Sequence, residues 1–155
     1  MKHISRRLPL IGLLAAILGI AAMASVGCGS DKDSSSDGAV LNAITVIDKA
    51  GLHDLNTQIE TSKTIPSNAS TTYQQLQTVT LLTEWPTSDL KTKGKELAAI
   101  FGEAAAEVDG TNPDMAKAAA ASKKAHDGYH EFSHDVWNYL YGNAGIKGAG
   151  DAHGD

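Results

Sequence analysis

From Ala39 onward the apolar positions recur at alternating steps of three and four residues, in four runs separated by proline and glycine. In the first run Val40, Ile44, Ile47, Gly51 and Leu55 share one helical face, with Leu41 and Ile59 beside it. Gly51 is a point at which that helix can bend, and Thr64-Ile65-Pro66 ends it. The second run, about Ser67 to Glu84, places Ala69, Tyr73, Leu76, Val79 or Thr80, and Thr83 at helical spacing. Its threonines favour strand as much as helix, but a lone strand would have no partner, so helix is the expectation. Thr87 or Ser88 caps the third run, whose seam is Leu90, Gly94, Leu97, Phe101, Ala104 and Val108 before Asp109-Gly110. The fourth opens with Asn112 as N-cap, Pro113 at the first helical position and Asp114 at the positive end of the dipole. Ala118, Ser122, Ala125, Tyr129, Phe132, Val136 and Tyr139 or Leu140 form its seam, and Gly142 ends it.

Four amphipathic helices with narrow stripes and short connections predict an all-α fold, an antiparallel up-down four-helix bundle over residues 39–142. Residues 143–155 read as a flexible, glycine-rich tail. Alanine supplies much of the apolar content, so the helices should approach closely. Tyr129, Phe132, Trp137, Tyr139 and Tyr141 are expected to form the thick end of the core.

The segment before Ala39 changes where the bundle is expected to work. Met1 to Arg7 is basic, Leu8 to Val26 is apolar, and the run ends Ala24-Ser25-Val26-Gly27-Cys28. This resembles a bacterial lipobox, which implies a signal peptide over residues 1–27 and lipidation of Cys28, the only cysteine. An ordinary cleaved signal peptide or a signal anchor are the other readings of the same stretch. Residues 28–38 then read as the lipidated cysteine and a solvated tether. The expected location is the cell envelope, with the protein held by its lipid on the periplasmic or extracytoplasmic face of a membrane. Without the leader the chain has ten lysines, no arginine and 18 acids. That balance excludes a nucleic-acid partner, whose phosphates need a basic surface.

Candidate chemistry is confined to the last helix. His126, His130 and His134 stand four residues apart, a spacing that lets neighbouring imidazoles converge on zinc, copper or nickel. Asp127, Glu131 and Asp135 interleave with them and can orient the rings or add ligands. Tight binding needs a third ligand, either His134 or a residue of a neighbouring helix. His53 is the candidate there, although it projects away from Ile44, Ile47 and Leu55 unless Gly51 changes the phase. The competing reading is a wet helix face of hydrogen-bonded histidines that docks another envelope protein, with no cofactor.

Ser122-Lys123-Lys124-Ala125-His126-Asp127-Gly128-Tyr129 resembles the C-terminal haem-binding motif of the cytochrome c-prime and soluble b-type cytochrome family. The resemblance puts Ser122 and Ala125 at the positions of the two attachment cysteines, His126 at the haem ligand and Tyr129 at the following aromatic. It implies the four-helix fold and, with both cysteines replaced, a non-covalent b-type haem held by His126 and Tyr129. No serine nucleophile motif is present. The expectation is a metal-binding or haem-binding module, not an enzyme.

Overall fold

The computed structural model describes residues 34–146, which form an all-α domain. The leader, Cys28 and the end of the tail lie outside the described residues. Five helices follow in order: α1 (Ser34–Asp48), α2 (Leu52–Glu60), α3 (Ala69–Leu82), α4 (Ser88–Glu107) and α5 (Met115–Asn143). No strand occurs among the described residues.

The first predicted helix is therefore two. Gly51 adopts φ +72° and ψ 32°, a left-handed conformation that glycine reaches without steric cost. The α1 hydrogen bonds run out at Lys49 and Ala50, and Leu55 N–H restarts the ladder on the Gly51 carbonyl at 3.0 Å. Gly51 is an exposed elbow, not a seam residue, and Leu52 takes the buried place beside Leu55 and Ile59. The start of α1 also corrects the expected tether: Ser34 to Gly38 are helical. A tertiary contact accounts for this, because the Asp37 carboxylate accepts from the Tyr139 hydroxyl at 3.0 Å and from Asn143 Nδ2.

In α3 the threonines do not turn the chain into a strand. Thr78, Thr80 and Thr83 each donate to the carbonyl four residues back, at 2.7–2.8 Å, which satisfies the hydroxyl inside a helix. Thr87 caps α4 as expected, accepting from Leu90 N–H at 3.1 Å. The cap of α5 is Asp114 rather than Asn112: its carboxylate accepts from Ala116 N–H at 2.9 Å and Lys117 N–H at 3.3 Å. A carboxylate in that place meets both the free amides and the positive end of the dipole. Gly142 does not stop α5, which runs to Asn143.

α3 packs on α4 and α4 on α5, and α5 also packs against α1 and α2. The predicted seams of α3 and α4 are buried, with Tyr73, Phe101 and Ala104 wholly inaccessible. Trp85 folds back from the α3–α4 connection into this core, its indole N–H donating to the Thr80 carbonyl at 2.9 Å. Its ring meets Phe132 edge-on at 4.7 Å. Gly94 makes room for it, since a Cβ there would lie 2.6 Å from the indole nitrogen. The aromatic stripe of α5 departs from expectation. Phe132 alone is buried, while Tyr129, Trp137, Tyr139 and Tyr141 are half-exposed.

Tyr129, Trp137 and Tyr139 pack against the edge of the core and turn their polar tips to carboxylates of α1. Asp48 Oδ1 accepts from the Tyr129 hydroxyl and from Ser133 Oγ, and Oδ2 accepts from the Trp137 indole, each at 2.9 Å. Asp37 does the same for Tyr139 three turns earlier on the same face of α1. Burial and the neighbouring Asp48 charge push the Tyr129 hydroxyl pKa well above its ordinary value.

Candidate metal centre

The cluster is built where α2 begins and α5 passes its midpoint. On α5, His126 and His130 stand one turn apart, and the Nε2 atoms of their imidazoles lie 3.1 Å from each other. The rings are edge-on, with centroids 4.5 Å apart. The elbow at Gly51 turns the start of α2 toward α5, so that His53 Nδ1 reaches within 3.3 Å of His126 Nε2. One ligand-capable nitrogen from each ring lies within 4.8 Å of the other two, and the three histidines form a group that could hold a metal ion.

Below the cluster a polar chain ties α2, α3 and α5 together. Tyr73 donates its hydroxyl to Ser122 Oγ at 2.9 Å, Ser122 donates to Asn56 Oδ1 at 3.1 Å, and Asn56 donates to Glu60 at 3.1 Å. Ser122 is fully buried, and burial raises the pKa of Tyr73. This network holds α2 at a fixed height on α5 one turn from His53, and so sets the reach of that imidazole.

Hydrogen bonding orients His126. Its Nδ1 faces Asp127 Oδ1 at 3.4 Å, and Lys123 donates to the other oxygen of that carboxylate at 2.6 Å. The Lys123 hydrogen bond keeps the Asp127 carboxyl below its usual range, with His126 adding to the effect. With the proton on Nδ1, the lone pair of His126 sits on Nε2 and points into the cluster. That is the arrangement of a carboxylate–histidine–metal triad. At His130, partial desolvation between the helices and the two neighbouring imidazoles lower the pKa below 6.5, which favours the neutral ring a metal requires.

His134 is not part of this group. It is exposed, with Asn138 Nδ2 at 3.1 and 3.3 Å from its two ring nitrogens and Asp135 at 3.8 Å. His53, which apolar phase alone assigns to the surface, stands in its stead. Gly51, two residues before it, supplies the change of phase on which that candidate depends. Tyr129 neighbours His130, with ring centroids 4.9 Å apart, but commits its hydroxyl to Asp48.

A haem does not fit this arrangement. Its iron would have to approach His126 Nε2, and the nitrogens of His53 and His130 stand within 3.3 Å of that atom, where the porphyrin would lie. Ser122, at the place of an attachment cysteine, is enclosed by Tyr73 and Asn56. A small ion meets neither obstacle. Comparison of the chain with family models, with curated proteins and with solved structures finds no match.

Proposed function

We propose that the protein is a lipid-anchored envelope protein whose helical domain binds one transition-metal ion through His53, His126 and His130. The observation that carries this reading is the spacing of the three nitrogens. Ligands about 2.0–2.1 Å from a tetrahedral ion lie about 3.3 Å from one another. Two of the three separations here are 3.1 and 3.3 Å, before any ion draws the rings together. Neutral imidazoles without a thiolate suit zinc, copper(II) or nickel, and the choice among them follows metal supply as much as the site.

The domain on this reading is an antiparallel up-down bundle in which α1 and α2 together form one of four columns. The order of cross-helix pairs supports it. Asp37 pairs with Tyr139, Asp48 with Tyr129, and Asn56 with Ser122, so α1–α2 and α5 run in opposite senses. Lys93 with Asp135 and Glu103 with Lys124 give the same relation for α4 and α5. Lipid attachment at Cys28 follows from the lipobox-like end of the leader, and among the described residues no helix is long and apolar enough to cross a membrane.

The test is elemental analysis and calorimetric titration of the untagged mature chain in detergent. One equivalent of zinc or copper, lost in His126→Ala, is the expected result. A chain that takes up neither ion in stoichiometric amount would overturn the metal reading. Labelled palmitate incorporated by the wild type and not by Cys28→Ser tests the anchor.

A further inference from the structure

The geometry points to an ion held with one coordination position open, which takes an external ligand and makes the ion exchangeable; this rests on the metal reading above. Three nitrogens define one face of a tetrahedron, and zinc or copper(II) requires at least a fourth donor. Among the described residues the cluster contains His53, His126 and His130 and no further histidine, cysteine or carboxylate. Asp127, whose carboxylate stands against His126, cannot serve as the fourth ligand in place. It sits at Nδ1 of His126, across the ring from the nitrogen that faces the cluster, and Lys123 holds it there at 2.6 Å.

The surroundings also leave the fourth position accessible. His53 and His130 are exposed, and 17% of the His126 side chain is. A structural zinc site is closed by four protein ligands, whereas a site that turns over ligands keeps one place for water or a small donor. The ligands are moreover unequal in their attachment. His126 and His130 project from consecutive turns of the 29-residue α5, while His53 comes from the nine-residue α2 directly after the Gly51 elbow. An entering donor therefore occupies the open position first, and His53 is the ligand that leaves, without change of oxidation state.

The full mature chain, loaded with one equivalent of copper(II), tests this with azide and imidazole as probes. Azide should produce a charge-transfer band that saturates at one azide per copper, and imidazole should displace it. Stopped-flow removal of the copper by imidazole should accelerate in proportion to imidazole concentration, and His53→Ala should raise that rate on the order of 10-fold. Copper bound at one equivalent whose spectrum ignores both probes, or whose release rate is independent of imidazole, would overturn the open position and leave metal binding standing. Failure to bind copper or zinc at all would overturn both.

Discussion

α1 and α2 are laid on the same helix by polar contacts of opposite kinds. At Asp48 one carboxylate meets a phenol, a hydroxyl and an indole, so acceptor lone pairs face three donors. At His53 three imidazoles turn nitrogens toward one point, and a neutral imidazole has only one proton to share. With His126 protonated on Nδ1, its single Nε2 lone pair would have to serve two neighbours at once. The first contact is complete as the chain stands. On the proposed function the second would be completed by a cation, which would accept all three lone pairs together.

If that difference is real, the two contacts respond oppositely to mutation. Asp48→Ala removes three hydrogen bonds to a charged acceptor and leaves the buried Ser133 and the half-buried Tyr129 and Trp137 donors without it. A loss of about 3 kcal/mol in urea unfolding is expected. Asp48→Asn, which keeps one acceptor oxygen, should lose less. His53→Ala in metal-free protein should change stability by under about 0.5 kcal/mol. A reversal of that order would make the histidines the structural contact and Asp48 the incidental one.

The next largest effect is expected on ion binding. His126→Ala removes the nitrogen shared by both short contacts and should weaken zinc or copper binding on the order of 100-fold, equivalent to about 2.7 kcal/mol. Wild-type protein at metal concentrations about 100 times the dissociation constant should gain that much stability, and the variant should gain almost none. Thermal unfolding with and without the ion reads both.

Acidification should dissolve the second contact and spare the first. Folding lowers the His130 pKa below 6.5, so the unfolded chain takes up that proton first. The stability tied to His130 is therefore complete above pH 6.5 and falls as the pH drops through 6.5 toward the folded value. The bound ion competes with the same protons, and its release should follow in the same direction. Metal retention after dialysis between pH 7.5 and 5 checks the sign; retention that rises with acid would exclude neutral imidazole ligands.

The same two contacts show what could be read from the residues alone. The seams of α3, α4 and α5 were legible because apolar side chains at three- and four-residue steps have one way to be buried in a helix. Val40, Ile44 and Ile47 were legible for the same reason. His126 and His130 were legible because their spacing is local to one helix. His53 was legible only as a conditional third ligand, since its place depends on the left-handed turn at Gly51, which shifts the phase of everything after it. Asp48 left a fainter trace: an acid on the Val40–Ile44 face, in register with Asp37, where an apolar residue would be expected. The aromatic stripe of α5 lies at the edge of the core and not inside it, because the polar tips of Tyr129, Trp137 and Tyr139 bond those acids, on a helix far away in the chain.

A smaller effect is expected at Asp127. Asp127→Asn weakens the acceptor at His126 Nδ1 and removes the charge that Lys123 holds in place. Loss of such an outer partner costs 10–100-fold in affinity where the contact is short. At 3.4 Å the lower end is expected, about 10-fold, with the stoichiometry unchanged.

The smallest effect separates this centre from the one that the even spacing on α5 suggests. His134 is a further turn along the same helix, 54% exposed, with its ring against Asn138 rather than His130. Each step of four residues advances about 40° around a helix, so His134 points about 80° away from His126. His134→Ala should therefore leave ion affinity within about twofold, and stability within about 0.5 kcal/mol. His53→Ala, at the same ion concentration, should weaken binding by an order of magnitude or more. If His134→Ala loosens the ion and His53→Ala does not, the ligands lie along α5 alone. The Gly51 elbow would then serve only to bury Leu52, and the contrast between the two contacts with α5 would disappear.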